Sequence, residues 1–530
     1  MIILGIGGIL GDAAVAILAD GCLAAAIEES KLNRQGLKAG AHTGSTDLPE
    51  QSIAACLSLA GATPEQVDAV AIVRPCGPEA PLHLQLRARF PNSSLVVVEH
   101  HTAHAASAYY PSPFDEATVL TLDRAGDFRC GTRWRAAGTQ LSLDRELYYP
   151  DSLGDLYGRV TELLGFHANL EEHKVQWLSA AGDDRFRDLF LEMMPMRDGE
   201  WPRLDRSFFD SERLTGGGFS ADFYERLGLE DRAAVPESLR ASLAAGIQRA
   251  VEDTVVRMAG SGTRNLCFAG GLGLNALLVS ALERAPFESV FVQPAAGNAG
   301  TAIGAVLQSW HAVYNQPQRI RLDNLYLGPS YAAEEIKKVL ENCKLRFRYI
   351  LTMEETIDTA IAQLAENRIV AWMHGRMEFG PRALGNRSIL ASPLDPYAAE
   401  NLNAFIKHRE PFRKFAASVP AELAAEYFEC GPNARFLATV GRVRPAHRGR
   451  FASAVLNGDL VRVHTVSQED NPLYWKLLHA AGKATGLPVL YNTSFNLFSE
   501  PLVCNPRDAV RSFYSSGIDA MFVGNFFLQK

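Results

Sequence analysis

The chain has no long apolar run, no excess of positive charge and no closely spaced cysteine pair, and each absence removes a class of protein. Without an apolar stretch approaching a bilayer span, no transmembrane helix is expected. Met1 to Leu10 is apolar but short, lacks a cationic lead-in and runs directly into Gly11-Asp12, so it reads as a first strand and not as a signal peptide. A formal net charge of -8 argues against general nucleic-acid binding, while leaving room for a local cationic pocket. The eight cysteines (Cys22, Cys56, Cys76, Cys130, Cys267, Cys343, Cys430 and Cys504) include no C-x-x-C pair, in a chain too long to need disulfide staples. That pattern suits a reducing cytoplasm. What is present is the composition of a soluble globular protein, 47% hydrophobic and 21% charged over 530 residues, enough for two domains.

The first stretch with chemistry in it is His100-His101-Thr102-Ala103-His104. It follows the strand-like run Leu95 to Val98 and leads into Ala105 to Tyr110, whose composition is helical, so His100 and His104 sit one turn apart at a helix start. That spacing puts both imidazoles on one face, where two neutral nitrogens can hold a divalent metal. The next apolar run, Ala117 to Leu122, ends in Asp123 and delivers a carboxylate where a strand stops. Ligands of open α/β sheets gather at such ends. A pair of core or solvated histidines would show the same spacing, and it is the surrounding motifs that favour a metal.

Short hairpins open the chain: Ile2 to Gly8, Ala13 to Leu18 and Leu23 to Ile27 read as strands separated by turns at Gly11-Asp12 and Asp20-Gly21. Actin-like and sugar-kinase ATPase folds begin this way, with the turn facing nucleotide phosphates. Residues 150 to 260 are mostly helical and carry Glu171-Glu172-His173-Lys174 before an apolar run, a pattern that fits a solvated helix start as well as a functional segment. Then Leu266 to Ala269 reads as a buried strand, broken by Gly270-Gly271 and resumed as a helix from Leu274. A strand, a glycine pair and a helix start let backbone N–H groups approach an anion. The arrangement recurs in Val290 to Val292, the loop Pro294 to Gly300 and the helix Thr301 to Trp310, with Gly304 allowing close packing and Asn298 within reach of the same cleft. These units define a first domain over 1–325, with a second over 345–530.

The second domain differs in character. The strand Ile369 to Met373 is followed by Gly375 to Ser388, which holds Arg376, Arg382 and Arg387 among glycines. Next come Lys407 to Phe415 with Arg409 and Arg413, then Arg462 in the strand Leu460 to Val466, then Asn492-Thr493-Ser494-Phe495-Asn496 after the strand Leu487 to Tyr491. Cations interleaved with hydroxyl and amide donors suit a polyanionic small molecule, because guanidinium forks match phosphate bidentately. An RNA face would look similar, but the acidic whole and the glycine-rich spacing favour a pocket.

Four motifs, taken in order, resemble those of the O-carbamoyltransferases of nodulation-factor, cephamycin and aminoglycoside biosynthesis. They are Ser94 to His104, Ala269 to Asn275, Met377 to Ser388 and Tyr491 to Asn496. The resemblance implies an actin-like ATPase superfold in the first domain and an α/β second domain like threonylcarbamoyl-adenylate synthase. It further implies a cytoplasmic enzyme that turns carbamoyl phosphate into carbamate and phosphate and couples carbamate with ATP, carried with Mg(II), to give carbamoyl-adenylate and pyrophosphate. The carbamoyl group then passes to a hydroxyl of a sugar or secondary metabolite, beside a divalent metal that the family resemblance makes Fe(II). By motif position Lys407, Arg413 and Ser494 would hold carbamoyl phosphate, and Arg382, Arg462 and Asn496 the phosphates and adenylation site. His100, His104 and Asp123 match metal ligands, and Gly270, Gly271 and Asn275 the nucleotide loop. No membrane or nucleic-acid partner is expected, and a homodimer fits the reading.

The sequence also departs from that pattern. The family's fourth metal ligand, an aspartate, is replaced by Asn298, whose neutral amide oxygen should weaken the site or shift metal choice. A histidine before Asp12 is replaced by Gly11, leaving Asp12 to take the proton of the acceptor, a task for which an unperturbed aspartate is a feeble base. Lys31, Arg34 and Lys38 stand in for a basic run after Glu29, and Lys414 stands where proline is usual. Two other readings therefore accompany the first: the same chemistry on an amine acceptor, and a nucleotide-binding regulatory protein on an actin-like scaffold with degraded catalysis.

Overall fold

A computed structural model describes residues 1–530 apart from 35–46, 76–78, 198, 211, 213–215, 261–262, 452–453 and 498. The fold is mixed α/β. The first lobe holds two five-stranded sheets of one design. In the first, β1 (Ile2–Gly7), β2 (Ala14–Ala19) and β3 (Cys22–Glu28) form an antiparallel meander, while β4 (Ala69–Val73) and β5 (Ser94–Val98) add in parallel to the other side of β1. In the second, β6 (Glu116–Leu122), β7 (Arg129–Ala137) and β8 (Gln140–Tyr148) repeat the meander, and β9 (Asn265–Ala269) and β10 (Ser289–Val292) repeat the parallel addition. The spatial orders β3-β2-β1-β4-β5 and β8-β7-β6-β9-β10 are thus the same unit built twice. Local chemistry sets the hairpins: Asp20 and Gly21 both take positive φ (48° and 78°) in the two-residue turn between β2 and β3, the backbone such turns require.

The helices His100–Tyr109 and Thr301–Gln308 pack together against these sheets. Gly304 permits it, because a Cβ there would collide with the carbonyl oxygen of Ala103. The insertion between β8 and β9 is helical, with Leu153–Leu163, Glu172–Leu178, Arg187–Met193 and Glu237–Ala259 around one apolar cluster.

The second lobe is a ten-stranded mixed sheet whose strands run from Arg348–Tyr349 to Phe526–Gln529. At its centre Arg387–Ala391, Leu490–Ser494, Ala416–Pro420 and Leu460–Val466 lie side by side. The strand expected over Leu487 to Tyr491 therefore starts three residues later and takes in Asn492, Thr493 and Ser494. Paired on both sides by Ala416 and Leu390, Asn492 is held by neighbouring strands, which a polar sequence does not advertise.

The lobes share their cores. The segment after Val370–Met373 sends Met377 and Ala383 into the apolar cluster of β1–β4, and Phe379 and Leu384 into the cluster around Ala103 and Ile303. Asn433 completes the free edge of β10: its Nδ2 donates to Val290 O at 2.8 Å and its Oδ1 accepts from Val292 N at 2.9 Å. Of the cations expected to follow Glu29, Lys31 is buried, pairs with Glu28 at 2.9 Å and donates to Glu378 O and Gly380 O at 3.0 and 2.8 Å. Arg34 donates to Leu502 O at 2.6 Å. Both serve the junction between lobes; Lys38 lies outside the described residues. Among the described residues no helix is long and apolar enough to cross a membrane.

Candidate functional site

At the carboxyl end of β6, Asp123 meets the first turn of the helix His100–Tyr109. His100 Nε2 lies 2.8 Å and His104 Nε2 3.2 Å from Asp123 Oδ2, and the two Nε2 atoms are 3.1 Å apart. His101 faces elsewhere, toward Thr121 Oγ1 at 2.7 Å and the carbonyl oxygen of Arg129 at 3.1 Å, which makes it structural. Burial lowers the basicity of His104, so its ring is neutral and its nitrogen available. Burial alone would raise Asp123, but the hydrogen-bonded imidazoles of His100 and His104 hold it well below the usual carboxylate range. Two imidazole nitrogens and a carboxylate converging on one point are a donor set that fits a divalent transition metal.

Small residues crowd this point. A Cβ on Gly126 would collide with the His100 ring, and one on Gly271 would stand 3.0 Å from Asp123 Oδ1. Gly270 takes φ +94° and packs against the backbone of Leu122. The glycine turn and the histidine cluster are therefore one structure. Asn275 is committed inside the protein: it caps the helix Ala276–Arg284 through Leu278 N and exchanges hydrogen bonds with Gln248 at 2.8 and 3.1 Å. Asn298 Nδ2 donates to Gly11 O at 3.3 Å, tying its loop to the turn that bears Asp12.

Asp12 adopts φ +61° at the accessible mouth of this cleft. Desolvation by the protein around it, then the carboxylates of Glu28 and Asp123, push its carboxyl up to about 6. A cation on the trio would withdraw the Asp123 contribution and leave the other two.

The second cluster is cationic. Lys407 is buried at the end of the helical turn Leu402–Lys407, and its Nζ donates to Asn496 Oδ1 at 2.7 Å, to Asn496 O at 2.9 Å and to Ser494 O. Ser494 Oγ donates to Asn496 Oδ1 at 2.7 Å, so three predicted residues form one knot. None of these partners carries a charge. Burial, then Arg409 and Arg413, hold the Lys407 amine well below its ordinary value. Arg462 is lowered by burial and then by Arg382, Arg409 and Arg413, while Arg382 is lowered to about 10 and Arg409 to about 9, each by burial and then Arg413. Arginines stay charged at working pH, so these guanidiniums, buried and set beside one another, suit an anionic ligand. Arg413 has Glu410 at 3.9 Å and also feels the carboxylate of Glu171, and Arg462 lies over the Trp177 ring at 4.9 Å.

The three arginines of 375–388 divide by role. Arg387 is fully buried and donates to the carbonyls of His374, Gly375, Asn386 and Pro329, and Arg376 donates to those of Ala24, Leu327 and Gly328. They hold the loop, leaving Arg382 to the pocket. Glu378 fastens the same loop from inside, its Oε1 accepting from the amides of Leu384, Asn386 and Arg387. Sequence reasoning gave the segment around His173 no preferred role. Lys174 Nζ reaches Glu410 Oε1 at 2.6 Å, so this segment of the first lobe walls the cationic pocket of the second. The only sequence signal was charge ahead of an apolar run, shared with many solvated helices.

The carbamoyltransferase N-terminus family model matches residues 81–307, and the carbamoyltransferase C-terminus model matches residues 361–530. Nodulation protein NolNO of Sinorhizobium fredii is 32% identical over 98% of this chain and 79% of its own length. Nodulation protein NolO of Bradyrhizobium diazoefficiens is 34% identical over 82% of this chain and 79% of its own. Among solved structures, the ROK hexokinase of Thermus thermophilus covers 59% of this chain and 100% of its own at 14% identity, with a TM-score of 0.31 that carries no weight beside the strand order. With family models over both lobes and relatives above 30% identity along most of its length, the chain belongs to the carbamoyltransferase family and is an enzyme of that family.

Proposed function

We propose that the protein is an ATP-dependent O-carbamoyltransferase, making carbamoyl-adenylate in the second lobe, of the threonylcarbamoyl-adenylate-synthase type, and passing the carbamoyl group to a hydroxyl in the actin-like first lobe. The observation that carries this reading is the buried pocket of Arg382, Lys407, Arg409, Arg413 and Arg462, five basic side chains served by no more acid than Glu171 and Glu410 among the groups acting on them. A regulatory ATP switch has no use for such a pocket next to its glycine turn, whose Leu274 O accepts from Arg382 at 3.5 Å.

In this mechanism the phosphoryl oxygens of carbamoyl phosphate are held by Arg413, Lys407 and Ser494. Water cleaves the mixed anhydride to carbamate and phosphate. A carbamate oxygen then attacks the α-phosphorus of Mg(II)-ATP, lying along Arg382, Arg462 and Asn496, and pyrophosphate leaves. In the first lobe Gly270 and Gly271 give the adenylate close backbone approach, and Asn275 fixes the helix start behind them. The acceptor hydroxyl attacks the carbamoyl carbon, AMP leaves, and Asp12 takes the hydroxyl proton, a role its raised carboxyl suits better than an ordinary aspartate's. His100, His104 and Asp123, with Asn298 as fourth donor by motif position alone, would hold a divalent metal, Fe(II) by the family resemblance, whose Lewis acidity would polarise the carbamoyl oxygen.

The test is pyrophosphate release from ATP by purified protein, with and without carbamoyl phosphate and without acceptor. Release that requires carbamoyl phosphate and is lost in Arg413→Ala is the expected result. Tight ATP binding with no release would move the assignment to a regulatory protein.

A further inference from the structure

We propose that His173 reads the amide end of carbamoyl phosphate: its Nε2 accepts a hydrogen bond from the carbamoyl N–H and so separates this donor from acetyl phosphate. The inference rests on the reading of the cationic pocket given above. The helix Glu172–Leu178 belongs to the first lobe yet runs along the pocket of the second. Lys174 clamps it to Glu410 at 2.6 Å and to Glu171 at 2.7 Å, and Trp177 lies beneath the Arg462 guanidinium at 4.9 Å. Between these contacts, His173 Nε2 is shut off from solvent and has no hydrogen-bond partner.

The charged groups around the ring come from three elements. Arg382 stands on the 375–388 loop, Arg409, Glu410 and Arg413 follow Lys407, and Glu171 and Lys174 flank His173 on its own segment. Burial, then Arg413, Arg382, Lys174 and Arg409, push the imidazole down to about 3, so it is neutral at working pH and, with its proton on Nδ1, keeps a lone pair on Nε2. Guanidinium and ammonium groups can only donate hydrogen bonds. Carbamoyl phosphate asks for both kinds of partner, since its phosphoryl oxygens accept while its amide N–H groups donate. A pocket walled by donors answers the phosphate end. A neutral imidazole nitrogen with an unused lone pair answers the other, and acetyl phosphate, with a methyl group in place of the amide, would leave it unpaired. Sites that hydrogen-bond a substrate group discriminate strongly against analogues that lack it.

The experiment measures the affinity of the full-length protein for carbamoyl phosphate, acetyl phosphate and inorganic phosphate by calorimetry, without ATP. Wild type should prefer carbamoyl phosphate to acetyl phosphate by about tenfold or more. His173→Leu should lose that preference while its affinity for inorganic phosphate stays within about twofold, and His173→Asn, which retains an acceptor, should restore part of it. Equal loss for all three ligands in His173→Leu would make the residue a phosphate contact and overturn the proposal. An unchanged preference would overturn it too. If wild type binds none of the three ligands, the carbamoyltransferase reading of the pocket falls with it, whereas binding with an unaltered preference sinks this inference alone.

Discussion

The two clusters solve opposite electrostatic problems. The histidine cluster is assembled from 24 residues of one lobe, His100 to Asp123, and balances itself, the carboxylate lying 2.8 and 3.2 Å from two imidazole nitrogens. The cationic pocket draws on two lobes and residues from Lys174 to Asn496, and its five cations have scarcely any acid among them. A site that balances itself can be organised before anything binds. One that repels itself is held in shape by its backbone and is completed by an anionic ligand. That backbone support is visible in Lys407, all of whose nearest acceptors are neutral oxygens of Ser494 and Asn496.

If this contrast is right, damage to the two clusters should separate. The largest effect is expected for Lys407→Met, which removes the cation at the centre of the Ser494–Asn496 knot: carbamoyl-phosphate-dependent pyrophosphate release should fall roughly a hundred- to a thousandfold. His104→Ala should leave that release within about twofold of wild type, while metal content by elemental analysis collapses and transfer to an acceptor drops by roughly a hundredfold. Loss of pyrophosphate release in this variant would mean that the clusters are not independent.

Asp12→Asn should lower transfer by about a hundredfold without touching metal content. The wild-type transfer rate should climb as pH rises, because the base must be deprotonated, and level off above the Asp12 midpoint, about 6 before any metal offsets the Asp123 charge. Bound metal offsets the Asp123 charge and should move that midpoint down. A rate that falls over the same interval would assign the proton to another group. The smallest change is Trp177→Leu, which removes the aromatic face under Arg462 and should weaken phosphate binding by about 1 kcal/mol, read by calorimetry.

Much of this was written in local sequence. The strand runs of the first lobe alternate with glycine turns of unmistakable chemistry, and the four-residue spacing of His100 and His104 leaves a single helical face for both. Lys407 and Ser494 fall in one group by motif and do meet, whereas Asn496, grouped by motif with Arg382 and Arg462, joins them through its side-chain oxygen. What escaped was set by tertiary placement. Arg376, Arg382 and Arg387 look alike in a glycine-rich run, yet backbone carbonyls consume the first and last, and no local pattern encodes which carbonyls fold back upon them. Asn492 to Ser494 read as loop residues and are strand, because neighbouring strands satisfy their backbone and override low β propensity. His173 was undecided for a related reason: the partners that matter to it lie more than two hundred residues downstream.

Asn433 carries a consequence of another kind. Through its side-chain amide a residue of the second lobe supplies the donor and acceptor that a sixth strand would have offered to the rim of β10. An isolated first lobe would present that rim, with Val290 and Val292 on it, as a template for pairing with other chains, the surface from which edge-to-edge aggregation grows. The second lobe therefore also covers an edge of the first, and a gene split between the lobes would leave the amide of Val292 and the carbonyl of Val290 open to other chains.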